Sequence, residues 1–280
     1  MLVQVSACCW VRQSEFCQSN TVVVTGDEGV LVVDPGVTGA ELTMLSQELG
    51  ALGLNPTMGF STHPHWDHML WTRDLGEGPR WATGRAVTHA QAHLEDARSK
   101  ATRLAPGNEP GLIGQLTALP VGADTLEWAG PVVEVLEHHG HAPGHAALYL
   151  PGDGVLIAGD MLSDVEVPLL DLKSGAPDPL SDYERGLTRL EHVKERGCRV
   201  VIPGHGAVAT GADVGTRFVQ DWSYLHTLGG TDPGHDPRLD PDATYGPDWL
   251  IPEHHAQHAW CLSHPRQENP QMTRGESTAN

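Results

Sequence analysis

Residues 57–68 constrain this chain more than any other stretch. Thr57–Thr62 reads as a short buried strand, and it leads directly into His63-Pro64-His65-Trp66-Asp67-His68. Pro64 disfavours helix at the residue before it and keeps the segment extended. In extended backbone alternate side chains share a face, so His63 and His65 can converge on one point. Asp67 and His68 follow where the chain can turn into a helix, and they can address a neighbouring point. A cluster of this kind needs a fold that brings further donors to the same place.

Three later segments offer such donors, and each follows a strand-like run. His141 lies in His138-His139-Gly140-His141-Ala142-Pro143-Gly144-His145, just after Val132–Leu136. Asp160 closes Leu156-Ile157-Ala158-Gly159-Asp160, and His205 sits in Ile202-Pro203-Gly204-His205-Gly206. Histidine is the commonest metal ligand, and the chain has 17 of them. Nitrogen and carboxylate donors together suit zinc, with iron or manganese also compatible. From spacing alone, any of the four histidines between 138 and 145 could be the donor.

The surrounding pattern alternates strands and helices. Thr21–Thr25 and Val30–Asp34 are β-branched runs separated by Gly26-Asp27-Glu28-Gly29, a hairpin signal ended by Asp34-Pro35-Gly36. Gly39–Leu52 spaces Leu42, Leu45 and Leu49 for an amphipathic helix stopped by Gly53. Ala86–Arg103 predicts a polar surface helix. Strands are expected at Thr125–Trp128, Val132–Leu136, Ala146–Leu150, Val155–Ala158 and Arg199–Ile202. Helices are expected at Ser181–Arg196, with Ser181 or Asp182 as N-cap, and at Thr216–Leu228. This order predicts an α/β (α+β) fold of packed sheets with helices outside. Residues 1–228 read as one domain and 229–280 as a C-terminal extension. Within that extension, Gly229–Asp248 is a Gly-, Pro- and Asp-rich connector, Pro252–Leu262 a short helix and His264–Asn280 a loose tail.

Composition removes several classes of function. With 36 acidic and 17 basic side chains the formal charge is −19, which disfavours a nucleic-acid backbone or an anionic membrane surface as partner. No apolar run approaches the roughly 20 residues needed to span a bilayer. Met1–Trp10 lacks a basic n-region, so the reading is cytoplasmic rather than secreted. Five cysteines without C-x-x-C spacing suggest buried apolar residues rather than disulfides or a Cys-rich zinc site. Self-association into a homo-oligomer stays open.

At this point the chain resembles the metallo-β-lactamase superfamily. The H-x-H-x-D-H signature stands as His63, His65, Asp67 and His68, followed in order by His141, Asp160 and His205. The resemblance implies a four-layer αββα sandwich with the site between loops at one edge of the sheets. It implies two Zn(2+) per chain, the first held by His63, His65 and His141 and the second by Asp67, His68 and His205, with Asp160 bridging. The G-H-x-x-G-H pattern selects His141, leaving His145 a supporting role and His138 and His139 at a strand end. The implied chemistry is hydrolysis of an ester, thioester, lactone or related acyl bond of a small molecule by a hydroxide shared between two cations. Asp67 would orient that hydroxide and carry its proton. No G-x-S-x-G elbow offers a serine nucleophile instead.

Subfamily departures narrow this further. Zinc β-lactamases place Cys or Ser where Asp160 stands, which makes β-lactam hydrolysis a secondary alternative. Mononuclear iron persulfide dioxygenases resemble the same motif set and are the rival from another reaction class. A metal-binding module without catalysis is the third reading, and retention of the whole donor set argues against it.

Other residues carry two readings each. His254, His255 and His258 lie at helical spacing and form either another metal site or a polar helix face lining a pocket. Met69, Trp66 and Trp71 either line the pocket mouth or pack in the core. Arg98, Lys100 and Arg103 either meet a substrate carboxylate or make a solvated helix face. The superfamily's habit of covering the metals with insertions points to Ser163–Leu172 and Arg98–Leu119 as loops over the site.

Overall fold

The computed structural model describes residues 1–228, 230, 234–243 and 245–265. One sheet runs in chain order through β1 (Val3–Gln4), β2 (Cys9–Gln13), β3 (Asn20–Thr25), β4 (Val30–Val33), β5 (Pro56–Phe60), β6 (Arg80–Ala82) and β7 (Thr117–Ala118). The other comprises β8 (Glu134–Glu137), β9 (Ala146–Leu150), β10 (Val155–Gly159), β11 (Val200–Pro203) and β12 (Ala209–Thr210), again in chain order across the sheet. The helices are α1 (Gly39–Ala51), α2 (Gly84–Ala92), α3 (Leu94–Leu104), α4 (Pro179–Glu195), α5 (Ala212–Leu228) and α6 (Pro247–Ser263).

Side-chain alternation explains the stacking. Strands covered on both faces read as continuous apolar runs, and β3, β4, β9 and β10 are of this kind. Val22, Val24, Leu31 and Val33 share the layer between the sheets with Leu148, Leu150, Val155, Ile157 and Ile202. Val23 and Val32 face the other way and pack with Leu42, Leu45 and Leu49 of α1. On the far side Tyr149, Leu156, Ala158 and Val201 pack with Leu187, Leu190 and Val193 of α4 and Phe218 and Leu225 of α5. Each sheet therefore has an inner and an outer apolar face, which gives the four-layer αββα order.

Strands β4 through β7 pair in parallel, as do β10 and β11. Parallel strands send their C-terminal ends to the same edge, so the loops after β4, β5, β10 and β11 emerge together. The two sheets are also tied there. Asn20 donates from its backbone N to the Gly204 carbonyl at 2.7 Å and from Nδ2 to the carbonyls of Pro203 and Gly206.

Local signals place most element ends. Thr38 and Glu41 cap α1 reciprocally: Thr38 Oγ1 accepts from Glu41 N, and Glu41 Oε2 accepts from Thr38 N. Three expectations need correction. Helix α4 starts earlier than expected because Asp178, not Ser181 or Asp182, accepts from Ser181 N at 3.0 Å, with Pro179 suited to the first turn. The single helix expected over Ala86–Arg103 is two, α2 and α3, meeting at His93, which departs from helical geometry at φ −117° and ψ 19°. Thr125–Trp128 forms no strand; Thr125 alone makes a bridge, to Glu134.

The C-terminal residues pack onto the rest. Leu250 and Cys261 of α6 are buried in the same core as α4 and α5. Of the tail expected over 264–280, all beyond residue 265 lies outside the described residues. Among the described residues no helix is long and apolar enough to cross a membrane.

Candidate metal centre

Every donor singled out by the motifs leaves a strand end at the shared edge. His63, His65, Asp67 and His68 follow β5, with Trp66–His68 forming a single 3₁₀ turn. His141 lies between β8 and β9, Asp160 directly after β10 and His205 directly after β11. Two glycines let these chains approach. A Cβ on Gly204 would sit 1.9 Å from Asp160 Oδ1, and one on Gly159, at φ +57°, 2.3 Å from His145 Nε2. His141 itself holds φ +73° and Asp34 φ +46°, conformations costing about 1–3 kcal/mol outside glycine and concentrated at functional sites.

The seven side chains form two adjacent groups. In the first, His65 Nδ1 lies 3.0 Å from both His63 Nε2 and His141 Nε2, and Asp160 Oδ2 lies 3.3 Å from His63 Nε2 and 3.4 Å from His141 Nε2. In the second, Asp67 Oδ2 is 3.5 Å from the Nε2 atoms of His68 and His205, which are 3.3 Å apart. Asp160 belongs to both, with Oδ1 3.2 Å from His68 Nε2 and Oδ2 3.4 Å from His205 Nε2. A tetrahedral ion with bonds of about 2.0–2.1 Å spaces its donors by about 3.3–3.4 Å. The separations here centre on that edge length.

Hydrogen bonds behind the rings decide which nitrogens face inward. Thr62 Oγ1 donates to Asp34 Oδ2 at 2.6 Å, so it must accept from His63 Nδ1–H at 3.0 Å. His68 Nδ1–H donates to Asp34 Oδ2 at 2.9 Å, and His205 Nδ1–H to the Cys17 carbonyl at 2.7 Å. Neutral rings of His63, His68 and His205 therefore all present bare Nε2 lone pairs to the cluster. Bare lone pairs this close repel unless a cation, or a proton, sits among them. Asp160 Oδ1 is also buried there without a hydrogen-bond donor. The donor set thus fits divalent cations, with the outer bonds fixing ring orientation in the way metal-binding histidines require.

The charges respond to this crowding. Burial drives the His63 imidazole well below its ordinary pKa, helped by the neighbouring His68. Burial would also lower His205, but Glu166, Asp160 and Asp67 outweigh it and push the ring up to about 10. Burial alone would raise Asp160; the His68, His205 and His63 rings hold it well below the usual carboxylate range. Without a cation among them, the His68 and His205 rings are pulled toward the protonated form, whereas burial holds the His63 and His65 rings away from it.

Of the supporting residues, Asp34 and Glu166 carry no motif signal, whereas His145 has the supporting place expected of it. Asp34 reads in sequence as the end of a strand, yet its two oxygens take Thr62 N, Thr62 Oγ1 and His68 Nδ1. His145 lies outside both groups; its Nε2 accepts from Asp160 N at 3.1 Å, and its Nδ1–H donates to His138 Nε2 at 2.9 Å. A buried carboxyl, Glu166, also stands beside Asp160 and His205. Among the described residues, His254, His255 and His258 join no metal-competent group. Tyr224 Oη is 3.0 Å from His254 Nδ1, and His258 Nε2 donates to the Gly230 carbonyl. Met69 and Trp71 are core residues, whereas Trp66 is half-buried, edge-on to Phe16 at 5.8 Å. Arg98 and Lys100 pair with Glu95 and Asp96 along α3, as on a solvated face.

The profile of the metallo-beta-lactamase superfamily matches residues 14–205, more than half of the chain. The chain belongs to that superfamily. Within it, the "Probable metallo-hydrolase YqgX" of Bacillus subtilis (strain 168) is 28% identical over 197 residues, covering 68% of this chain and 85% of that protein. A hydroxyacylglutathione hydrolase of Synechococcus sp. (strain JA-2-3B'a(2-13)) is 33% identical over 132 residues. That match covers 47% of this chain and 43% of the hydrolase, so this chain spans less than half the length of that relative. Among solved structures, a metallo-beta-lactamase family protein from Thermus thermophilus, TTHA1429, superposes with a TM-score of 0.62 and 25% identity, covering 79% of each chain. The superfamily match ends at His205, so α5, α6 and the segment between them lie outside it.

Proposed function

We propose that this protein hydrolyses an ester, thioester, lactone or related acyl bond of a small molecule with the help of two divalent cations, zinc in the first instance. One observation carries the reading: the seven side chains make two donor groups that share Asp160. His63, His65 and His141 would hold one cation, and Asp67, His68 and His205 the other, with Asp160 between them. Cations held there supply a Lewis acid for the acyl oxygen and acidify water enough to provide a hydroxide nucleophile near neutral pH.

The protein's own residues supply orientation. Asp34, Thr62 and the Cys17 carbonyl lock the imidazoles in the tautomers that expose Nε2. Asp67 is half-buried beside both second-group rings, where its carboxylate can align the attacking water and take its proton. Phe16 and Trp66, each next in sequence to a residue of the cluster or its support, form a half-buried aromatic ledge suited to an apolar acyl or leaving group. The partial similarity to a hydroxyacylglutathione hydrolase supports a thioester among the candidate substrates.

The test is turnover of a panel of thioesters, lactones, esters and a β-lactam by zinc-loaded protein, alongside oxygen uptake with a persulfide by iron-loaded protein. Hydrolysis of an acyl substrate, abolished in His65→Ala, is expected. Oxygen consumption on the persulfide with one iron per chain, and no acyl hydrolysis, overturns the reading in favour of the dioxygenase.

A further inference from the structure

Residues 234–265 supply none of the seven clustered donors, yet they reach the centre through one buried pair. Tyr245 is buried and its hydroxyl donates to Glu166 Oε1. Glu166 is buried as well, with Oε1 4.0 Å from His205 Nδ1, and it groups with Asp160 and His205, their donor atoms within 4.8 Å of one another. The backbone of Glu166 is fixed too. Its N donates to Ser163 Oγ at 3.0 Å, and its carbonyl accepts from Arg238 Nη1 at 3.0 Å. That same Nη1 binds the Ser163 carbonyl and Asp221 Oδ1, while Nη2 binds Asp236. Both ends of Glu166 are thus held from the C-terminal segment, Arg238 gripping its backbone and Tyr245 its carboxyl.

We propose that Tyr245 is a positioning residue that fixes the Glu166 carboxylate beside His205, and that this neighbouring negative charge strengthens cation binding by Asp67, His68 and His205. The inference rests on the reading that this group holds a cation. At 4.0 Å from Nδ1, whose proton goes to the Cys17 carbonyl, Glu166 acts through its charge rather than a hydrogen bond, and outer partners of metal ligands typically contribute about 10–100-fold in metal affinity. Tyr245→Phe keeps the ring that meets Trp249 edge-on at 6.1 Å and removes only the hydroxyl. Glu166→Gln keeps an acceptor for that hydroxyl and removes the charge.

The experiment is cobalt(II) titration of the full-length protein against a competing chelator, followed by the visible d–d absorption, with thermal melting of the metal-free forms as a check on folding. Wild type is expected to take two cobalt ions. Both variants should melt like wild type, bind the first ion with wild-type affinity and bind the second about 10–100-fold more weakly with an altered band. Wild-type affinity and spectrum for the second ion in both variants overturns the role of the pair. An effect in Glu166→Gln that is absent in Tyr245→Phe overturns the positioning role of Tyr245. A wild-type chain that binds no second ion fails at the earlier step, overturning the two-cation function and with it this proposal.

Discussion

Tautomer choice at single histidines governs this site. An imidazole can offer a lone pair inward only if its other nitrogen keeps a proton, and each supporting acceptor sees to that. The same logic runs outward from Asp160, whose backbone N–H fixes His145 and, through it, His138. Burial, aided by the Arg189 charge, drives the His138 imidazole down to about 3. The ring is therefore neutral in the fold between that value and the roughly 6.5 of an unfolded histidine, a window in which the unfolded chain binds a proton. Stability falls as pH drops through that window, by about 1.4 kcal/mol per unit for this one ring. His138→Asn should lower the slope of unfolding free energy against pH by about one proton between roughly pH 6 and 4, measured by urea denaturation of the metal-free protein. An unchanged slope would show that His138 titrates in the fold as it does outside.

At the scale of elements, the loops carry the donor side chains and the strands aim them. The C-terminal segment belongs in that description. Leu250 of α6 is fully buried with residues of α4 and α5, while Gln257 joins Tyr224 Oη and the Pro168 carbonyl in the chain that follows strand β10. Leu250→Ala should cost about 2–5 kcal/mol, as core leucines do, seen as a lower denaturant midpoint in a single transition. A loss under about 0.5 kcal/mol, or separate unfolding of α6, would mean that the extension merely rests on the surface. Legibility in the sequence divides along the same line. The runs Ala146–Leu150 and Val155–Gly159 announce strands covered on both faces because the information is local. Four donors in six residues announce a metal centre for the same reason. Asp34, Glu166 and Tyr245 were not legible, because each gains its role from a partner 28 to 79 residues away, and a lone buried carboxyl has no periodicity. Thr125–Trp128 failed in the opposite direction: β-compatible residues there found only one bridging partner, at Glu134.

For the molecule as a whole, the account reduces to two apolar sheets that carry a polar edge. Each sheet is covered by helices on its outer face and by the other sheet on its inner face, which leaves the polar donors gathered at the edge where β4, β5, β10 and β11 end. The surplus of negative charge, −19 over the chain, lies in the direction that attracts cations. Metal content is the most direct measurement of this claim, made by mass spectrometry on zinc-loaded, gel-filtered protein. Two zinc ions per chain are predicted for wild type and for His258→Ala, and fewer for His65→Ala. Less than one ion in wild type, or an ion lost from His258→Ala but kept by His65→Ala, would contradict it.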